Sequence, residues 1–463
     1  MTLLTMKKNK ISRRGFLNST LAAGTLTFFD GRTAVGRFEN LYGGNEEMYR
    51  EPEKKLPVYG HYDVIVVGGG PAGFAAALAS VRNGAKTLVI ERFPFFGGTA
   101  TASLMLNING FRNQVKPDGL QTSKGIPEEV ILRLKDIDGL GISAYKQEPY
   151  PTGKGNLSYS YAIDGEKTKY ILTRMLHDAG AHILLDTIFA DSIMEGNTIR
   201  GVIVETVSGR MAIFGKVIID SSGDAAVSYK AGVPCRGADL KKDKHLPNCL
   251  MYKVSINPAN AAKLGGPLVR NSLILWGPVS DTAGANAQDL TRAEIETRLK
   301  IFENFSNVQK SRAPLLDDAY VVESAPRLGV RQTRFIEGLY TTSADDAISG
   351  RKFDDSVAMS ACPIISYYGY RRYLKHEGYE IPYRCLLPQS VEGLIVAGRC
   401  ISSDQQSYES WRAMAPTMSI GEAAGTAAAL SVKTGRLPKE VDVQMLRDQL
   451  VKQGAEIGQN KTD

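Results

Sequence analysis

Asp63-Val64-Ile65-Val66-Val67, then Gly68-Gly69-Gly70-Pro71-Ala72-Gly73, then the alanine-rich stretch from Phe74 to Val81: on these nineteen residues the fold turns. The short β-branched run predicts a parallel strand buried on both faces, and the alanine-rich run predicts a helix. Strand, G-x-G-x-x-G and helix in that order is the arrangement a dinucleotide site requires. Gly68 permits the tight turn, Gly70 lets the backbone approach a pyrophosphate, and Gly73 lets helix and strand pack closely. Pro71 and Ala72 open the helix and join the expected cofactor contacts, because a helix N-terminus offers free N–H groups and a positive dipole end to phosphates.

Further along, Lys86-Thr87-Leu88-Val89-Ile90 reads as the second strand and ends in Glu91. A carboxylate about 20 residues past the glycines suits a ribose 2′-OH and disfavours a 2′-phosphate. The plainer alternative is that Glu91 only caps a strand end. Gly139-Leu140-Gly141-Ile142-Ser143-Ala144 also fits G-x-G-x-x-A, yet Leu134 to Asp138 before it is no buried strand, so it reads as a loop.

FAD and NAD share this fingerprint, and the next residues decide between them. Arg92-Phe93-Pro94-Phe95-Phe96-Gly97-Gly98-Thr99-Ala100-Thr101 carries the chain to a second glycine pair. Lys216-Val217-Ile218-Ile219-Asp220 is another apolar strand, continuing into Ser221-Ser222-Gly223-Asp224, and Gly393 to Arg399 is a strand running into a glycine turn at Gly398. Pro416 to Leu430 is rich in small residues, including Gly421 and Ala424.

These segments resemble the glutathione-reductase-type FAD fold, and together are similar to the FAD-dependent oxidoreductase family related to the heterodisulfide reductase A subunit. The resemblance runs from about residue 61 to 435. It implies non-covalent FAD and an α/β, Rossmann-like fold with an inserted α+β cap and substrate domain. It also implies cofactor contacts from Arg92, Gly97, Gly98, Thr99, Ala100, Ser222, Gly223, Asp224, Gly398, Arg399, Gly421 and Ala424. Small residues after Pro416 equally suit a helix packed in an α/β core. No second strand, G-x-G-x-x-G, helix unit appears, so electrons come from the substrate or an external donor and leave to an external acceptor or redox protein.

The expected organisation places a signal peptide over 1–36, a linker over 37–60, and FAD-binding parts over 61–103, 166–225 and 386–435. A cap insertion covers 104–165, a substrate domain 226–385, and a C-terminal helix and tail 436–463. Within the second FAD part, Ala181 to Leu185 and Gly201 to Arg210 alternate as a meander with turns.

Composition narrows the class. The 463 residues are 43% hydrophobic and 23% charged, which supports a folded core of one or more domains. None of the five cysteines (Cys235, Cys249, Cys362, Cys385, Cys400) sits in a C-x-x-C pair, which argues against a zinc ribbon, a dithiol or an iron–sulfur ligand cluster, and no metal site is expected. The formal charge of +7 sits largely in the first residues, where Lys7, Lys8 and Lys10 precede Ser12-Arg13-Arg14-Gly15-Phe16-Leu17. This resembles a twin-arginine export signal, with Ala34-Val35-Gly36 as the cleavage candidate, and implies a periplasmic or otherwise exported protein. Cleavage after Gly36 removes six basic residues and Asp30, leaving +2, so nucleic acid is not an expected partner. No apolar run there reaches the roughly 18 residues of a stable membrane span.

The expected reaction is hydride transfer between a small organic substrate, polyhydroxy or carboxylate, and the flavin N5. An electron-transfer subunit working with a redox partner, or a flavin-binding module without turnover, are the alternatives. Catalytic candidates are Arg331, Tyr383 and Gln405. Arg331 lies in Glu323 to Arg334, where Arg327 and Arg331 would share one face of a strand and Arg334 point away, to bind a carboxylate, the flavin edge or only solvent-side partners. Gln405 follows the last FAD strand where the family resemblance leads one to expect histidine, and no other histidine replaces it. His61 precedes the first strand, His177 and His182 flank a helix end, and His245 and His376 lie in charged stretches.

Overall fold

The β-branched run from Val64 to Val67 does form a buried strand, with the first three of its residues wholly shielded from solvent. In the computed structural model, which describes residues 50–116, 119–145, 153–238, 246–365 and 371–458, this strand is the end of β1 (Val58–Val67). β1 pairs in parallel with β2 (Thr87–Ile90) in the register Val64↔Thr87 to Val67↔Ile90. On its other side it pairs in parallel with β6 (Gly209–Asp220), Val64 opposite Val217 and Val67 opposite Asp220. Burying a Val or Ile side chain contributes roughly 1.5–3 kcal/mol, so these central strands anchor the sheet.

The seven-stranded sheet has the order β3-β2-β1-β6-β5-β4, with β7 also on β6. Here β3 is His182–Leu184, β4 Ile188–Glu195, β5 Thr198–Thr206 and β7 Leu394–Val396. β6 is shared: its first half pairs antiparallel with β5, and its last three residues pair in parallel with β7. The strands β4, β5 and early β6 make the expected meander, whereas Ala181 to Leu185 does not belong to it. β3 lies parallel to β2, Leu88 opposite His182, because the helix α2 (Gly165–Ala179) before it returns the chain to the same edge. The linker boundary also moves. Val58 and Gly60 already pair with Ala212 and Ile213, so β1 begins before its buried half, and His61 lies within it, stacked on Phe214.

α1 (Pro71–Arg82) follows the glycines, and its buried alanines lie under α3 (Met414–Thr434). Every residue of α3 from Met414 to Ser431 is buried, as fits a helix apolar on all sides. Close approach of the two helices depends on glycine. A Cβ at Gly421 would lie 2.1 Å from Ala72 O, and one at Gly425 2.0 Å from Ala76 O. This corrects the expectation that Gly421 faces the cofactor: it is a helix-crossing residue, and Ala424 is wholly buried in the same helix.

The remaining segments build smaller sheets. Leu268–Val269, Ser272–Leu275, Tyr252–Ser255 and Val321–Ser324 form a four-stranded antiparallel sheet. Asn107–Asn109, Ser160–Ile163 and Leu140–Gly141 form a three-stranded one, so the expected loop at Gly139 to Ala144 contains a short strand. Among the described residues no helix is long and apolar enough to cross a membrane. The twin-arginine stretch and His245 lie outside the described residues.

Candidate cofactor and substrate site

At the carboxyl end of β1 the chain turns at Gly68 with φ of +101°, a conformation that side chains disfavour. Gly73 sits so close to this turn that a Cβ there would be 1.7 Å from Gly68 O. Gly70 differs from both: a Cβ on it would meet no protein atom nearer than Gly98 Cα at 3.9 Å. The space above Gly70 is therefore open to a ligand. α1 starts here at Pro71 without any side-chain cap, whereas α2 is capped by Asp164, which accepts from Lys167 N. The N–H groups of the first turn of α1 are thus available to an anion.

The second glycine pair closes one side of this cradle. Gly97 N donates to Gly69 O at 2.9 Å, and Gly98, Thr99 and Ala100 follow in a 3₁₀ turn beside Gly70. Glu91 lies beneath, 5% exposed, with Oε2 accepting from Gly69 N at 2.6 Å and Oε1 from Phe93 N at 2.9 Å. Burial pushes this carboxyl above the usual range, and the two N–H donors oppose the shift. Glu91 therefore shapes the glycine turn itself, while each oxygen keeps a further lone pair for a ribose hydroxyl.

Ser221 to Asp224 continue β6 against the same turn. Ser222 Oγ donates to Asp220 Oδ1 at 2.7 Å and accepts from Ala226 N at 2.9 Å, so its hydroxyl holds the local turn. Asp224 draws three arginines together: Arg399 Nη2 at 2.5 Å, Arg327 Nη2 at 3.6 Å and Arg92 Nη2 at 3.8 Å. Arg399, which follows Gly398, also donates from Nε to Gly223 O and from Nη1 to Val330 O. It ties β7, β6 and the 327–334 segment into one wall. Thr333 Oγ1 donates to Gly223 O and Arg327 N to Ala102 O, which completes the join.

A dinucleotide fits this arrangement on the chemistry of its atoms. Two buried hydroxyls, Ser221 Oγ and Thr417 Oγ1, have no hydrogen-bond partner among the described residues. The first stands at the end of β6 and the second in the first turn of α3, itself without a side-chain cap at Ala413. Buried polar groups are rarely left unmatched, and these two, with two uncapped helix starts and an open Gly70, offer donors and acceptors to phosphates and hydroxyls.

The catalytic candidates separate. The 327–334 segment is irregular rather than a strand, so Arg327 and Arg331 share no face. Arg327 turns to the Asp224 side chain, and Arg334 joins it there by donating to Asp224 O at 3.1 Å. Arg331 donates from Nη1 to Pro247 O, and Tyr408 Oη donates to Arg331 O. Tyr383 joins none of them: its hydroxyl is buried and donates to Pro438 O at 2.9 Å, against the C-terminal segment. Gln405 begins the short helix Gln405–Trp411 and contacts Glu409 at 3.3 Å, at the opposite end of that helix from Arg412. Arg412, two residues before α3, ends the segment 402–412 that follows the last FAD strand, and was not among the catalytic candidates. His376 is bonded through Nε2 to Ala347 O.

A parallel sheet with a glycine cradle at its carboxyl end, open to phosphates between two helix starts, defines a dinucleotide-binding enzyme fold. The chain belongs to the FAD dependent oxidoreductase family, whose model matches residues 63–263 and 258–450, and it is a flavin enzyme. It is 34% identical over 177 residues to a thiamine thiazole synthase of Methanococcus vannielii, covering 36% of this chain and 58% of that one. It is 28% identical over 176 residues to a tRNA uridine 5-carboxymethylaminomethyl modification enzyme MnmG of Alkaliphilus oremlandii, covering 35% of this chain and 24% of that one. The chain thus spans less than two thirds of either relative. Among solved structures it is similar to a geranylgeranyl bacteriochlorophyll reductase-like protein of Thermoplasma acidophilum, at 13% identity, 86% and 84% coverage and a TM-score of 0.45.

Proposed function

We propose that this chain is an exported enzyme that binds FAD non-covalently in the glycine cradle and transfers a hydride between a small polyhydroxy or carboxylate substrate and the flavin. Bound FAD supplies the hydride acceptor or donor. The chain's own groups hold and orient it: α1 faces the phosphates, Glu91 the ribose, and Ser221 and Thr417 offer hydroxyls. The observation that carries this reading is the convergence of 97–103, 221–224, 327–334 and the start of α3 around the open face of Gly70. The Arg331 and Arg412 side favours an acidic substrate, and the basic start of the chain favours twin-arginine export.

The test is a visible spectrum of the purified chain, followed by anaerobic addition of sugars, hydroxy acids and amines. Bleaching of the ~450 nm flavin band by one class names the substrate. Protein that holds no flavin and takes up none would overturn the proposal. A bound flavin that stays oxidised with every donor would shift the function to electron transfer with a redox partner.

A further inference from the structure

Asp224 gathers arginines at the edge of the glycine cradle, and it does not treat them alike. Its Oδ1 meets Arg399 Nη2 at 2.5 Å, whereas its Oδ2 lies 3.6 Å from Arg327 Nη2 and 3.8 Å from Arg92 Nη2. The first contact is a charge-assisted hydrogen bond, and the other two are too long to be hydrogen bonds. Burial disfavours the charge of Arg399, yet its neighbours, Asp224 first among them, hold that guanidinium above its ordinary value. Arg399 is thus the bonded partner. Arg327 and Arg92 are drawn in by charge alone, so their Nη2 hydrogens remain for another acceptor.

Each member of the group is anchored to the glycine turn. Arg92 follows Glu91, whose Oε2 accepts from Gly69 N at 2.6 Å. Asp224 stands two residues after Ser222, whose Cα would be 3.0 Å from a Cβ on Gly68. Arg399 follows Gly398, where a Cβ would lie 3.2 Å from Ala72 Cβ. Arg327 comes from a distant stretch and is tied in by its backbone: its N donates to Ala102 O at 3.0 Å, and Ala102 N donates to Gly98 O at 2.7 Å. Gly98 is the residue nearest the open face of Gly70. The side chains of Arg92 and Arg327 are 42% and 17% exposed, at the rim of the opening. Because both approach the same oxygen, one phosphate group accepting at about 2.7–2.9 Å from each can lie between them. A carboxylate at that spot repels a phosphate by its own charge, so its use there lies in the arginines that it holds.

We propose that Arg327 and Arg92 form a clamp for the pyrophosphate of the dinucleotide, and that Asp224 is the positioning residue that holds the two guanidiniums in place. The proposal rests on the flavoenzyme reading and deepens it. It makes the charged pyrophosphate, and not the flavin ring alone, what the chain selects, and it draws the 327–334 segment, which also carries Arg331, onto the cofactor. A planar guanidinium fork matches phosphate oxygens in parallel hydrogen bonds, which a lysine ammonium does not reproduce.

The test measures the affinity of the flavin-free full chain for FAD and for riboflavin, which lacks the phosphates, by the change in flavin fluorescence. Arg327→Gln and Arg92→Gln should each weaken FAD binding at least about tenfold and leave riboflavin binding within about twofold. Arg327→Lys recovers only part of the loss. Asp224→Asn carries the decisive sign. Removing a negative charge beside a pyrophosphate would by itself tighten FAD binding, whereas losing the positioning residue weakens it several-fold, again with riboflavin spared. Melting temperatures report whether the variants are folded, and the two arginine variants, at partly exposed positions, decide the matter if Asp224→Asn is not. Unchanged FAD affinity in both Gln variants, an equal loss for riboflavin, or tighter FAD binding by folded Asp224→Asn overturns the proposal. If the chain binds neither flavin, the functional reading fails instead, and calorimetric titration with ADP, which carries the pyrophosphate without the flavin, still decides the clamp. Binding of ADP that both Gln variants lose then supports it, and no binding by the parent chain overturns it.

Discussion

The glycine cradle at the end of β1 and the arginine–tyrosine cluster before α3 are built in opposite ways. In the cradle, recognition comes from backbone and from missing side chains: Gly68 turns, Gly73 makes room, Gly70 leaves an opening. In the cluster it comes from long side chains on three separate segments, carried by Arg331, by Tyr379, and by Tyr408 with Arg412. A backbone site is written in consecutive residues, because one turn must supply all of it. A side-chain site is assembled by tertiary packing, and so can vary with the substrate while the cofactor stays constant.

The sharpest way to break the comparison lies within the cradle. Gly73→Val puts a branched side chain where Gly68 O already stands, so the turn cannot close. Loss of folded protein, or destabilisation beyond about 4 kcal/mol, is expected by urea denaturation. Gly70→Ala adds a methyl group that meets no protein atom within 3.9 Å. Its melting temperature in the absence of FAD should stay within a degree or two, while FAD affinity falls about 100-fold by equilibrium titration. If both variants lost stability alike, the cradle would be a packing feature and not a binding one.

Buried carboxyls give the fold a pH signature, and Glu422 on α3 shows it most strongly. The residue is 1% exposed, accepts from Ile126 N at 2.9 Å at the start of helix Ile126–Asp136, and burial pushes its carboxyl up to about 8. The folded chain thus holds a proton that the unfolded chain releases near the ordinary Glu value. Stability is full below about pH 4.5 and declines as pH rises toward 8, by about 1.4 kcal/mol per unit in between. Between pH 5.5 and 7 the loss from this group is about 2 kcal/mol, and Glu422→Gln, which keeps an acceptor for Ile126 N–H, should remove that share of the slope and leave what Glu91 and Glu380, raised in the same direction, contribute. A parallel pH dependence in the variant would locate it elsewhere.

What the sequence revealed follows the same division. The strand from Val64 to Val67, the turn at Gly68 and the helix after it were legible because their periodicity and glycine spacing are local. Arg399 and Asp224 were legible as neighbours of glycine turns, although not their mutual pairing. Tyr383 misled, because an aromatic beside a strand looks the same whether its hydroxyl meets a substrate or, as here, Pro438 O. Gly421 misled for a related reason: a small residue marks close approach without saying whether the neighbour is a ring or the backbone of Ala72. Arg412 had no motif of its own; its place beside Tyr408 follows from local helical spacing, four residues along helix Gln405–Trp411.

The smallest effect discriminates best between a side chain that serves the protein and one that serves its ligand. Thr417 Oγ1 is buried in the first turn of α3 and bonds to nothing among the described residues, so in the flavin-free chain it is a liability of roughly 1 kcal/mol. Thr417→Val keeps the shape and removes the hydroxyl. The flavin-free variant should therefore be as stable as the parent or up to about 1 kcal/mol more so, while the FAD complex loses a similar amount in affinity, about fivefold in Kd. Opposite signs in the two measurements can arise only if the hydroxyl finds its partner in the cofactor. Equal destabilisation of both forms would instead mean that Thr417 packs as an ordinary helix residue, and the start of α3 would lose its part in the cradle.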